Sequence, residues 1–259
     1  MFLINKIDEL VSTSKHLEML VKTHMQNGGN VANIENFIPE YYTIQSCYQK
    51  SGRGTASNIW RSEYGKNALF SFIMYPQISA VEQFMLTKLI SLGIMDALKN
   101  YVPKTDNLKI KWPNDIYYCN KKLGGILMEN SIIGNKLRYS IVGVGINVNQ
   151  NTFLKSLPNP TSISLITELI NDVDELIIQI LNAVKKRQII AESTVSTVFD
   201  EDYLNMLYNY KCSQRFVIDK KIVEAVIHGV NEYGMLQLLM DDYSLKEYSF
   251  KELKFIIPE

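Results

Sequence analysis

Apolar residues first recur at helical spacing near the start of the chain, where Leu17, Leu20 and Val21 share one face. Ser12-Thr13-Ser14 supplies capping hydroxyls before that run and Gly28-Gly29 ends it, which predicts the first helix between them. Tyr41 to Gln49 and Ala68 to Tyr75 are β-prone and read as strands. Ser79-Ala-Val-Glu82 is a capping-box pattern, predicting a helix to about Asn100 with Val81, Phe84, Met85, Ile90 and Leu98 available for the core. Its methionines read as core filling. Lys109-Ile-Lys-Trp112 alternates as a strand, and Pro113 cannot donate to a ladder, so Asn114 and Asp115 belong where that strand ends or bends. Tyr117-Tyr118-Cys119 resumes β-prone composition and Asn120-Lys121-Lys122 reads as a turn before the apolar run Leu123 to Met128. Asp172-Val-Asp-Glu175 is a second capping box, opening a helix through Ile180, Leu181 and Val184, with a further helix predicted over Thr194 to Tyr208. From Cys212 the period switches to two, with turns at Asp219-Lys220 and Asn231-Glu-Tyr-Gly234. The pattern therefore predicts an α+β chain with a first domain over 1–208 and a small all-β barrel over 209–259, too small to stand alone and packed on the first.

Composition narrows the class without naming it. The 27 basic and 27 acidic residues cancel, so no broad electrostatic footprint for nucleic acid is visible, although a phosphate-bearing small molecule needs only a local basic cluster. Cys47, Cys119 and Cys212 are scattered and lack a Cys-x-x-Cys pair, which argues against a disulfide framework and a structural zinc site; a reducing cytoplasm is the default expectation. The N-terminal apolar run is too short and too soon charged for a signal peptide, and no later run approaches a membrane span. His16, His24 and His228 are isolated from any metal-ligand pattern.

Chemistry concentrates in Lys111-Trp-Pro-Asn-Asp115 and, seven residues on, Lys122-Leu-Gly-Gly-Ile126. Two cations, an amide, a carboxylate and a glycine pair in so short a stretch suit a site that handles a carboxylate together with a phosphate. The plain reading of Lys121 and Lys122 is a hairpin turn with surface lysines. Ser51-Gly-Arg-Gly-Thr-Ala-Ser-Asn-Ile-Trp60 is a small-residue loop in which Gly52 and Gly54 let backbone N–H groups converge with Arg53 on one anion. In Ser140 to Val148, Gly143 and Gly145 fall on one face with Asn147 and leave room for a flat ligand or a close backbone. This strand lacks the third glycine of a dinucleotide fingerprint, and no Gly-x-x-x-x-Gly-Lys-Ser/Thr occurs, which argues against a Walker-type ATPase.

In this order, Tyr48-Gln-Lys-Ser-Gly-Arg-Gly54, Trp60-Arg-Ser-Glu-Tyr-Gly65-Lys-Asn67, the Lys-Trp-Pro-Asn-Asp run, Lys122-Leu-Gly-Gly-Ile-Leu-Met-Glu129 and Gly143-Val-Gly-Ile-Asn147 resemble the biotin protein ligases, with Asn159-Pro-Thr-Ser162 similar to that family's entry into its next helix. The resemblance implies a class II synthetase-like mixed β-sheet packed against helices, followed by an SH3-like barrel. It implies ATP, biotin and Mg²⁺ as ligands, a biotinyl-5′-AMP intermediate, and a lysine in a biotin carboxyl carrier domain as acceptor. A homodimer joined through sheet edges is compatible with it. Only about ten residues precede Ser12, which leaves no room for the DNA-binding domain of bifunctional members, so a ligase without DNA binding is expected.

Carried onto this sequence, the resemblance makes Lys122 the charge stabiliser, Arg53 the phosphate holder and loop closer, and Asp115 the group that orients or deprotonates the acceptor amine or helps place Mg²⁺. Lys111 assists at the ATP phosphates or is a lysine at a strand end. Ser12, Thr13 and Gln49 pair with the biotin ureido ring, with helix capping as the alternative for the first two. Trp60 stacks on adenine or fills core, Asn114 and Asn147 bond the adenine edge or the ribose-phosphate, and Gly124 belongs with the other glycines of the ligand site. Val11-Ser12-Thr13-Ser14 departs from the family's Asp-Ser-Thr-Asn, losing an asparagine contact to biotin, and Thr55, Ala56 and Ser57 replace a more basic loop. A lipoate ligase or octanoyl transferase of the same fold and a noncatalytic biotin or carrier-binding module are the other readings.

Overall fold

The computed structural model describes residues 1–55, 58–194 and 197–258. In chain order the elements are β1 (Ile4–Leu10), α1 (Thr13–Gln26), β2 (Thr43–Gln49), β3 (Gly52–Arg53), β4 (Ile59–Trp60), β5 (Asn67–Met74), α2 (Gln83–Leu98), β6 (Leu108–Lys111), β7 (Asp115–Tyr118), β8 (Lys121–Ile133), β9 (Lys136–Asn147), α3 (Ile163–Thr167), α4 (Val173–Glu192), α5 (Asp200–Met206), β10 (Ser213–Ile218), β11 (Lys221–Val230), β12 (Leu236–Met240), β13 (Leu245–Tyr248) and β14 (Leu253–Phe255). Ala56, Ser57, Val195 and Ser196, on which parts of the loop and last-helix readings fall, lie outside the described residues.

A seven-stranded mixed sheet, ordered β1-β2-β5-β9-β8-β7-β6, carries the site. Only β1 and β2 run parallel; the other neighbours are antiparallel. β5 is buried along its whole length and its alternation divides the core. Phe70, Phe72 and Met74 join the cluster beneath α2 and α4, while Ile73 joins Leu17 and Val21 of α1 on the opposite face. Because α1 covers only part of its face, the rest of that face, where Ser71, Gly143 and Gly145 emerge, is left for a ligand.

Local chemistry fixes the element ends. Glu82 accepts hydrogen bonds from the Ser79 backbone N–H at 3.1 Å and the Ser79 hydroxyl at 2.7 Å, and Asp172 accepts from the N–H groups of Asp174 and Glu175 at 2.8 and 3.1 Å. Val81, expected in the core, is exposed because it lies in the turn of 3₁₀ helix before α2 rather than on its inner face. The predicted helix over Thr194 to Tyr208 is the shorter α5.

The C-terminal strands form a five-stranded antiparallel sheet ordered β13-β12-β11-β10-β14, and no ladder joins its edge strands among the described residues, so the expected barrel is not closed. Asp219 and Lys220 both take positive φ (50° and 65°), as a two-residue turn between β10 and β11 requires. Phe216, Ile227, Leu238 and Phe255 continue the main hydrophobic cluster. Trp112, 2% exposed, donates its indole N–H to Gly234 O at 3.0 Å and packs near Phe250, tying the sheets together.

Candidate functional site

A cleft of about 730 Å³ lies on the uncovered sheet face. Of the residues singled out from sequence, Ser12, Thr13, Gln49, Arg53, Gly54, Trp60, Asp115, Lys122, Gly143 and Gly145 line it. Segments far apart in sequence thus reach one space, each for a local reason.

At one end, the start of α1 meets the end of β2. Gln49 Oε1 accepts from the Thr13 N–H at 2.8 Å and the Thr13 hydroxyl at 3.2 Å, while Thr13 Oγ1 and Ser71 Oγ share a hydrogen bond of 2.7 Å. Ser12 Oγ and Ser14 Oγ are 3.2 Å apart, and both serines and Thr13 are buried. Ser12 is the N-cap residue by position, yet its side chain makes no capping bond; its hydroxyl is shared with Ser14 beside the cleft.

At the other end Lys122 Nζ is 2.7 Å from Asp115 Oδ1, both partly buried. Lys122 is not in the turn but in β8, and a bulge there decides its direction. Asp115 pairs with Gly125 and Ile116 with Gly124, but Tyr117 pairs with Lys122, so Leu123 is the extra residue. Its side chain is buried in the core, and the lysine is returned to the face of Asp115 and Gly125. The backbone of Lys122 is held on its far side as well: its N–H donates to Asn159 O at 2.8 Å, and its carbonyl accepts from the Thr161 N–H at 2.9 Å.

Gly125 pairs with Asp115 and Gly145 in adjacent strands. A Cβ on Gly125 would meet Asp115 Oδ1 at 3.3 Å and Trp60 Cζ3 at 3.6 Å, so this position, rather than the expected Gly124, lies against the charged pair. A Cβ on Gly145 would be 2.8 Å from the Trp60 indole, so the space expected for a flat ligand there is filled by Trp60 itself. Lys122 Nζ stands 5.9 Å from that ring. Trp60 comes from the β3–β4 hairpin, whose glycine, Gly52, allows close pairing: a Cβ there would be 2.7 Å from Trp60 O. On the same hairpin, Arg53 Nη1 lies 2.7 Å from Glu129 Oε1.

Four further predicted residues flank this cleft without lining it. Asn114 donates to Ile126 O and, at 3.4 Å, to Thr55 Oγ1. Asn147 donates to Thr161 O at 2.9 Å and lines a second space of about 800 Å³, which shares Trp60 and Lys122 with the first. Gly124 would press a Cβ on Gly145 O at 2.8 Å, so it serves strand contact. Lys111 Nζ lies 4.7 Å from the Phe255 ring centroid and 5.7 Å from that of Tyr117. Burial pushes its pKa below the usual lysine value, with nearby Asp115 opposing. Ser71 and Phe250 were not singled out from sequence, and Gly125 and Glu129 stood within its motifs without an assigned role; Ser71 gave a faint signal as a lone hydroxyl in an apolar strand.

Among the described residues no group of three or more His, Cys, Asp or Glu could hold a metal ion, and no helix is long and apolar enough to cross a membrane.

Residues 38–147 match the biotin/lipoate A/B protein ligase family. The bifunctional ligase/repressor BirA of Bacillus subtilis is 36% identical over 116 residues, covering 44% of this chain and 35% of that protein. The human biotin–protein ligase is 33% identical over 109 residues, covering 40% and 15%. These matches span about a third or less of the curated relatives' length. In structure, the chain superposes on a biotin protein ligase from Aquifex aeolicus, solved with biotin and ATP, with a TM-score of 0.75 over all of both chains at 22% identity.

Proposed function

Because residues 38–147 match the biotin/lipoate A/B protein ligase family, we propose that this chain is an ATP-dependent biotin ligase that modifies a lysine of a biotin carboxyl carrier domain through biotinyl-5′-AMP. The observation that carries this reading is one cleft holding a hydroxyl-and-amide cluster at one end and the Lys122–Asp115 pair at the other, with Arg53 on its rim.

The two ends suit the two ends of biotin. The ureido ring offers N–H donors and a carbonyl acceptor; Ser12, Thr13 and Ser71 offer hydroxyls, and Gln49, its oxygen engaged by Thr13, retains its Nε2 amide as a donor. The valeryl chain would run along Leu127, Gly143 and Val144 toward Lys122. A lipoyl or octanoyl chain has no use for the polar cluster, which favours biotin.

In the first half-reaction a carboxylate oxygen attacks the α-phosphorus, forming the acyl-phosphate bond as pyrophosphate leaves. Lys122 turns from Asp115 to the developing charge, and Arg53 takes the phosphate, while the Gly54 N–H, expected to share it, is engaged by Asn58 O. Adenine goes to the space beyond Trp60, where Asn147 lies. Mg²⁺ belongs to the nucleotide substrate in this account, since a magnesium ion is ordinarily held through substrate phosphates and few carboxylates. In the second half-reaction the acceptor amine attacks the acyl carbon and AMP leaves; Asp115, released by Lys122, orients the amine and receives its proton. Closure of the arginine loop over the adenylate would keep water from it.

Biotin-dependent exchange of labelled pyrophosphate into ATP tests this without the acceptor. Exchange with biotin but not with lipoate or octanoate is expected. Exchange with lipoate or octanoate alone would transfer the reading to those acids, and none with any acid would reject adenylation.

A further inference from the structure

We infer that Glu129 is a positioning residue for Arg53, fixing the arginine loop over the acyl-phosphate; the inference rests on the ligase reading above. Glu129 lies on β8, and alternation from Gly125 through Leu127 places it on the cleft face. It is therefore anchored on the sheet, whereas Arg53 is carried by a hairpin with a two-residue ladder. Among the described residues the other ties of that hairpin are the Gly54 N–H donating to Asn58 O at 2.7 Å, the Asn58 N–H donating to Thr55 O at 3.2 Å, Asn114 reaching Thr55, and Trp60 resting on Gly145 with Lys122 Nζ 5.9 Å from its ring.

The pair is monodentate. Arg53 Nη1 meets Glu129 Oε1 at 2.7 Å, and Glu129 Oε2 is buried with no hydrogen-bond partner among the described residues. A guanidinium has five N–H donors in a planar fork, so an edge not engaged by Glu129 can take a phosphate while the pair persists. Glu129 thus removes rotational freedom from an otherwise loosely held side chain before the anion arrives, and touches no reacting atom.

Two readouts of Glu129→Ala, Glu129→Gln, Arg53→Ala and the double variant test this. With biotin and ATP but no acceptor, AMP release measures loss of the intermediate. Glu129→Ala is expected to raise that release relative to pyrophosphate exchange by about tenfold, the size of one lost charge-assisted hydrogen bond. Glu129→Gln, which still offers an oxygen to Arg53, restores most of the difference, and Glu129→Ala adds nothing to Arg53→Ala. Chymotryptic cleavage after Trp60 in ligand-free protein reads the same coupling without activity: faster in Glu129→Ala and Arg53→Ala, no faster again in the double variant. Additive effects, or unchanged cleavage in Glu129→Ala, overturn the proposal. Absent exchange in the wild type with coupled cleavage intact would instead reject the ligase reading and retain the pair.

Discussion

Lys122 reaches Asp115 at 2.7 Å because one extra residue, Leu123, turns the lysine onto the aspartate's face of the sheet. In a regular strand Lys122 and Gly125, three apart, would point to opposite faces. Burying Leu123 and presenting Lys122 are therefore one structural decision.

Lys122→Ala should lower biotin-dependent pyrophosphate exchange by about 10²- to 10³-fold, the scale of losing one preorganised contact to transition-state charge. The lysine is partly exposed, so far-UV circular dichroism and melting should change little. Unchanged exchange would remove Lys122 from the chemistry.

Gly145→Ala tests the seat of Trp60. A Cβ 2.8 Å from the indole forces the ring away, which should shift its fluorescence while Trp112, buried at the junction of the two sheets, gives a constant background. The KM for ATP is expected to rise by about tenfold, as for one lost aromatic contact; an unaltered KM with a displaced ring would show that nucleotide does not use this seat.

Much of this arrangement was legible in sequence, because capping hydroxyls, glycines and β-prone runs act over a few residues. The N-cap position of α1, the Ser79 capping box and the Asp219-Lys220 turn are of this kind. β1 was missed: its half-buried residues, Ile4, Ile7 and Leu10, fall three apart, Ile4 packing against one core cluster and Ile7 and Leu10 against the other, so the strand does not display period two. The bulge at Leu123 and the covering of Gly145 by Trp60 depend on pairings across the sheet, which local pattern does not encode. Gly124 was chosen over Gly125 for the same reason, since the strand's facing was set by the bulge.

Ser14→Asn asks whether an amide can be supplied to the segment that the ligase reading assigns to biotin. Ser14 is buried at the hydroxyl end of the cleft, where an amide adds both donor and acceptor capacity. The KM for biotin should fall by about tenfold, the worth of one good hydrogen bond; a rise would mean that this end has no space for the larger side chain.

Acid stability should depend on Asp174, which accepts from Lys6 Nζ at 2.7 Å and from Gln45 Nε2 at 2.6 Å. The hydrogen bond from Lys6 holds its carboxyl below the usual 3.8, and the same bond raises Lys6 above 10.5. The aspartate's contribution is present above its unfolded pKa and lost as pH falls through the lower folded value; the lysine's is present below 10.5 and lost as pH rises through its raised value. Both side chains are about half exposed, so solvent screening limits the effect to about 0.5 kcal/mol. Denaturant titrations of Asp174→Asn should differ from wild type between about pH 4 and pH 10 and converge once the pH has fallen below the carboxyl's lowered folded value. A constant difference across that acid limb would assign the effect to packing.

The stitching of Lys122 to Asn159 and Thr161 has a kinetic consequence. The main chain at Lys122 is paired with β7 on one side and hydrogen-bonded to this segment on the other. On the ligase reading proposed above, transfer of its ammonium from Asp115 to substrate is then a rotamer change along an aliphatic tether, on a timescale far shorter than a turnover. The ammonium's transfer therefore does not, on that reading, limit the rate of a cycle.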